Sequence, residues 1–244
     1  MMRVLIAILA PLLLLGCVLS PGKFISTMTI NADRTFAFTY KGEVIAIDPG
    51  SALKGVGDKP ASEVPDAEAT PTIYRTAAVN AKVGTDAEDK SGSDSEAKNR
   101  EIATALSKEY GYRSVVYQGK GKFLIDYAIK GMLTHNFTYP FNSDAEAIFP
   151  FVVIELRANN TVRVKAPGFS NSGSASSGAG GGMGSAMNET SKLLDGNFTL
   201  DTDTEIVSQN NEDGAKTASG RRIINWRATS LTKDAPTAVL RFKP

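Results

Sequence analysis

FISTMTINADRTFAFTY, residues 24–40, is the stretch on which the fold turns. Phe24, Ser26, Met28 and Ile30 share one side of an alternating pattern and Ile25, Thr27 and Thr29 the other, the period of a strand with one buried face. Asn31 to Arg34 carries turn chemistry, and alternation resumes through Phe36, Phe38 and Tyr40. Two β-prone runs separated by such a segment predict a β-hairpin. Lys41-Gly42-Glu43 reads as a further turn, and Val44 to Ile47 as a third short strand.

The following segment, residues 50–95, contains Pro60, Pro65 and Pro71 and becomes dense in charge from Asp86 onward, so it is expected to be mostly loop. Ile73 to Val83 has apolar content enough for one short element. Glu96 to Tyr110 carries Ile102, Leu106 and Tyr110 at a spacing of four, with Ser93, Asp94 or Ser95 to cap it and Gly111 to end it. That spacing predicts the main helix. Arg113 to Tyr117, Lys122 to Ile129, Met132 to Tyr139, Ile148 to Ala158 and Thr161 to Lys165 read as strands, with hairpins at Lys130-Gly131 and Asn159-Asn160. Residues 170–185 are rich in Gly and Ser and are expected to be loop. Asn197 to Leu200, Thr204 to Ser208, Arg222 to Thr229 and Ala238 to Phe242 complete the strands. The final segment from Asp195 has few large apolar side chains and is expected to join the same sheet, because it would make a meagre core alone. The expectation is an α+β fold: one large curved antiparallel sheet with one main helix packed against it, forming a single domain over residues 24–244.

Ahead of this domain, Met1-Met2-Arg3 precedes an apolar run from Val4 to Leu15 that ends in Gly16 and Cys17. The run is shorter than the ~20 residues a permanent membrane helix needs, and it has the order of a signal peptide. Leu14-Leu15-Gly16-Cys17 resembles the bacterial lipobox. The resemblance implies removal of residues 1–16 and lipidation of Cys17, with residues 17–23 as a lipidated tether and acyl chains such as palmitate as the membrane anchor. Cys17 is the sole cysteine, so no intramolecular disulfide competes for it. Val18 stands where an Asp would signal inner-membrane retention, which points to the outer membrane, facing the periplasm.

Candidate chemistry is sparse. His135 is the only histidine and sits among strand residues, and no Gly-x-Ser-x-Gly elbow precedes a helix. One histidine and one cysteine exclude the usual zinc sets. Gly178 to Gly184 lacks the Gly-Lys-Ser/Thr ending of a phosphate loop, and Gly119-Lys120-Gly121-Lys122 reads as a turn. Asp201, Asp203 and Glu205 alternate on one strand face, with Asn210-Asn211-Glu212-Asp213-Gly214 following, an oxygen-rich grouping that invites calcium. Acidic residues beside a turn more often face water. Removing Arg3 with the leader leaves 26 basic residues (27 minus one) against 26 acidic ones, a balance that argues against nucleic-acid binding. No catalytic set, metal site or cofactor site is expected.

Thr202-Asp203-Thr204-Glu205-Ile206, Asn210 to Gly214, Asn225-Trp226 and Ala235-Pro236-Thr237-Ala238 together resemble uncharacterised lipoproteins of alphaproteobacteria. Cys17, Ser20-Pro21-Gly22-Lys23-Phe24 and the hairpin through Phe38, Tyr40, Lys41 and Gly42 carry the same resemblance. Asn211 to Gly214 and Trp226 are also similar to mycobacterial LppM-like lipoproteins, which implies a curved sheet packed on a helix and binding of lipid or glycolipid. The expected function is that of a noncatalytic envelope lipoprotein binding a lipid, another amphiphile or another envelope component. The alternatives are an assembly accessory acting through protein contacts and an envelope enzyme gathering carboxylates such as Asp126, Glu155 or Asp203.

Overall fold

A computed structural model describes residues 18–47, 86–140, 150–171 and 188–243. Alternation in the first segment is realised as two paired strands, β1 (Val18–Ile30) and β2 (Thr35–Ile47). The turn between them closes through Asn31 N to Thr35 O and Arg34 N to Asn31 O, both 2.9 Å, with Arg34 at φ 68°. Asp33 accepts hydrogen bonds from the Thr35 hydroxyl (2.6 Å) and amide (2.9 Å), which hold its carboxyl below the usual carboxylate range.

Three expectations fail here together. Val44 to Ile47 is no third strand but the continuation of β2, and residues 18–23 are not a tether but the start of β1, with Val18 opposite Ile47. Gly42 is not a turn. It sits where the register shifts between Pro21 and Phe24, and the missing side chain lets the two backbones pass close together.

After β2 come a helix α1 (Asp86–Leu106), β3 (Tyr112–Gly119) and β4 (Lys122–Met132). The helix begins ten residues before Glu96, running through Ser93 to Ser95, the residues expected to cap it. Extending a formed helix costs far less than starting one, so the polar segment is recruited. It ends at Leu106, before the turn that leads to Gly111 at φ 94°, and this leaves Tyr110 76% exposed, not packed as its spacing suggested. Glu96 fastens α1 to the β3–β4 turn, accepting hydrogen bonds from Lys120 N and Tyr117 Oη, each 2.9 Å. Those two bonds, in that order, lower its carboxyl pKa.

The strand β4 runs past Lys130-Gly131, pairing Gly131 with Phe36, so the hairpin expected there does not form. The chain then crosses, through buried Leu133, to β5 (Phe137–Tyr139). Next are β6 (Val152–Arg157), β7 (Thr161–Lys165) and a 3-10 turn (Pro167–Phe169). The β6–β7 hairpin forms as expected, pairing Arg157 with Thr161 around Ala158, Asn159 and Asn160, the two asparagines at φ 60° and 54°, left-handed values that asparagine accepts more readily than most residues. The last strands are β8 (Asp195–Thr202), β9 (Glu205–Gln209), β10 (Lys216–Ala218), β11 (Arg221–Thr229) and β12 (Thr237–Arg241).

These strands make two sheets, not one. The larger has seven strands in the order β10-β11-β8-β1-β2-β4-β3, and the smaller five in the order β5-β6-β7-β12-β9. The larger sheet is mixed, because β8 runs parallel to β1. The α+β character holds in its coarser form, mostly strand with few helices, while the single antiparallel sheet does not. The segment from Asp195 supplies strands to both sheets.

The core comes from inward-facing residues of both sheets, with Phe24, Met28, Phe38, Tyr40, Phe198 and Leu200 from the larger and Tyr139, Val152, Ile154, Val162, Val164 and Leu240 from the smaller. Ala103 of α1 joins it, with Ile102, Val115 and Tyr117 packed alongside. Buried hydroxyls are satisfied, Ser26 donating to Thr39 O at 2.9 Å and Thr202 to Ile30 O at 2.7 Å. Burial also pushes the phenols of Tyr40 and Tyr139 well above their ordinary value and that of Tyr112 up to about 12, with Tyr127 and Glu109 adding to the rise at Tyr112. In the unfolded chain these groups lose their protons near 10. Their contribution to stability is therefore complete below pH 10 and is lost as the pH climbs from about 10 toward 12. Urea midpoints measured across that range should fall steeply while the buried phenols ionise only with unfolding; loss of the Tyr40, Tyr112 and Tyr139 protons in a fully folded protein near pH 10 would contradict this.

Candidate functional site

Register fixes which loops share an end of the larger sheet. Lys23 of β1 lies beside Asp195 at the start of β8, and Asp195 lies opposite Thr229 at the end of β11. The start of β1, the segment 188–194 and the loop 230–236 therefore gather at one end, together with Ile47 of β2 and the β3–β4 turn. Cys17 lies outside the described residues, but the residue after it is already in the sheet.

The opposite end holds the carboxylates that suggested calcium. Arg221 donates from Nε to Asp201 Oδ1 at 2.7 Å, and its Nη1 lies 3.8 Å from Asp203 Oδ2. Asp203 also accepts from Ala32 N at 2.7 Å, and Arg241 meets Glu205 at 3.3 Å. Each carboxylate thus has an arginine where a metal ion would need it, and the three do not converge: Glu205 belongs to the smaller sheet. Among the described residues no group of three or more His, Cys, Asp or Glu is placed to hold a metal ion.

The acidic residues considered for an enzyme are likewise separated. Asp126 on β4 sits 3.9 Å from Lys41, and Glu155 on β6 is bound by Arg157 (2.5 Å) and Lys165 (3.3 Å). The Arg157 hydrogen bond, and then Lys165, lower the Glu155 pKa. Asp126 and Glu155 lie on different sheets, and Asp203 at the Arg221 cluster. His135 is exposed in the crossing between the sheets, its Nδ1 3.0 Å from the Thr134 hydroxyl. The Gly119–Lys122 segment is a turn, as read from its glycines, and Gly178 to Gly184 lies outside the described residues.

What fills the space between the sheets is the protein itself. Phe169, on the 3-10 turn, stacks on Phe24 at 4.1 Å and meets Phe198 at 5.5 Å and Phe151 at 6.3 Å. Tyr40 and Tyr139 meet at 5.3 Å, and Tyr139 meets Phe38 at 5.0 Å. Trp226 stacks on Phe198 at 5.6 Å and donates from its indole to Asn210 Oδ1 at 3.1 Å. Asn210 Oδ1 also receives Thr237 N, so the Asn210 to Gly214 segment braces the two sheets.

Two exposed side chains escaped the sequence reading, Leu193 and Leu231, 52% and 84% exposed, both at the Val18 end. A single leucine in a polar loop leaves no periodic signal.

Among known proteins, no protein-family model matches the chain, and no curated protein matches it. Among solved structures, the chain is similar to the folded domain of the Mycobacterium tuberculosis protein LppM, determined by NMR, at 15% identity over 93% of each chain with a TM-score of 0.33.

Proposed function

We propose that the protein is a bacterial envelope lipoprotein, held by lipid on Cys17 at the outer membrane and facing the periplasm, and that it acts without catalysis by binding another envelope component on its outer surface. One observation carries the reading: a lipobox-like Leu-Leu-Gly-Cys is followed, with no intervening residue, by the first strand of the domain. The aromatic contacts between the sheets favour binding on the outside over an amphiphile held within. Cations seated on Asp126, Glu155 and Asp203 favour a noncatalytic role.

Growth with an alkynyl palmitate analogue tests the anchor. The wild-type protein should take up label and Cys17→Ser should take up none, and mass spectrometry should find the mature chain starting at an acylated Cys17. Unlabelled wild-type protein retaining residues 1–16 would sink the reading. Stoichiometric phospholipid or glycolipid co-purifying with the folded domain would restore the interior-ligand alternative.

A further inference from the structure

Resting on lipid attachment at Cys17, we infer that the Val18 end of the sandwich is a contact surface for the phospholipid bilayer, with Leu193 and Leu231 entering the interfacial layer. A lipoprotein with a long linker would leave its domain free to tumble above the membrane. Here Val18 is paired with Ile47, so the lipidated residue lies one residue, about 3.8 Å of chain, from the fixed end of the sheet's central strand.

That short link decides which end faces lipid, and the leucines are at that end. Leu193 lies two residues before Asp195 in sequence, and Leu231 two after Thr229. Neither hangs from a slack loop. Thr232 N donates to Thr229 O at 2.9 Å, Thr229 N donates to Thr232 Oγ1 at 2.9 Å, and Asn171 N donates to Thr232 O at 2.8 Å. Beside Leu193, Leu194 is buried at 4% exposure and pins the segment to the core. Each turn therefore presents an apolar side chain to the surroundings on a braced backbone. Lys192 adjoins one leucine, its ammonium 2.5 Å from Glu189 Oε1, and the exposed Lys233 follows the other, close enough in sequence to meet a headgroup phosphate once Leu231 enters.

The strand spacing gives the pose. Val18 stands five residues beyond Lys23, whereas Leu193 stands two beyond Asp195 in a turn, so the start of β1 reaches further than the turn that carries Leu193. Leu231 follows β11, two strands across from β1, a lateral offset of roughly 10 Å. Both leucines lie on the β11 side of β1, so the domain meets the bilayer leaning toward β11. The opposite end, with Ala32, Asp33 and Asp203, points away from lipid.

The test uses the full, lipidated chain reconstituted in phosphatidylethanolamine and phosphatidylglycerol vesicles. With Cys17 acylated, Leu231→Cys and Leu193→Cys each offer one thiol for an environment-sensitive nitrobenzoxadiazole label, and Ala32→Cys offers the control. Emission from 231 and 193 should shift to the blue on reconstitution and be quenched by nitroxide-bearing lipid, while emission from 32 stays water-like and unquenched. Protein that floats with the vesicles while 231 and 193 behave like 32 would overturn the contact surface and leave the anchor standing. Protein that does not float and shows no acyl mass on Cys17 overturns the anchor and the inference with it.

Discussion

Phe169→Ala is expected to destabilise the folded protein by about 3–5 kcal/mol, the usual range for deleting a buried phenylalanine. Phe169 is fully buried, and it is supplied by a three-residue 3-10 turn, not by either sheet. Its ring touches residues of β1, β2 and β8 through Phe24, Tyr40 and Phe198, and Phe151 just before β6. Truncation leaves a hole bounded by aromatic rings whose own strands hold them in place, so little collapse can fill it. Urea unfolding should show a much lower midpoint with an unchanged slope. Tyr110→Ala, at an exposed position, should stay within about 0.5 kcal/mol of wild type. Similar losses for the two variants would mean that the space between the sheets is not packed as described.

Gly42→Val is expected to cost about 3 kcal/mol, at the upper end for overpacking, although the residue is a glycine in a strand with ordinary φ. A Cβ at position 42 would stand 2.6 Å from the Phe24 Cα and 2.5 Å from its Cβ, so a backbone would have to move, not a flexible side chain. The movement would open the pairing that extends β1 from Phe24 back to Val18. A stability loss below about 1 kcal/mol, small on the scale for overpacked sites, would show that the two strands can separate at the bulge at little cost.

These two positions also mark how far the sequence could be read. Alternation through Phe24 to Tyr40 predicted the first hairpin because a half-buried strand imposes a period of two, and Asn159-Asn160 predicted another because few residues accept that turn. Alternation identifies an inner face, however, and not the sheet to which the strand belongs. The division into two layers, and Phe169 as the piece between them, follow from long-range packing. Gly42 was misread as a turn because the same residue serves a tight bend and a close backbone approach. At the candidate site, a short motif at the end of an apolar run singles out Cys17, which lies outside the described residues, while Leu193 and Leu231 stand out only through the register that brings them to the end where β1 begins.

The parallel pairing of β1 with β8 bears on the order in which the chain can become a protein. Ile30 and Thr202, partners in that pairing, are 172 residues apart. The first hairpin can form early, yet the apolar side of β1 has no finished neighbourhood until more than four-fifths of the polypeptide is present. Contacts of such long range form slowly, since a large loop must close before they contribute. A chain threaded N-terminus first through a translocation pore could therefore pair its neighbouring strands as they emerge, but would acquire its two-layered shape only with its final strands.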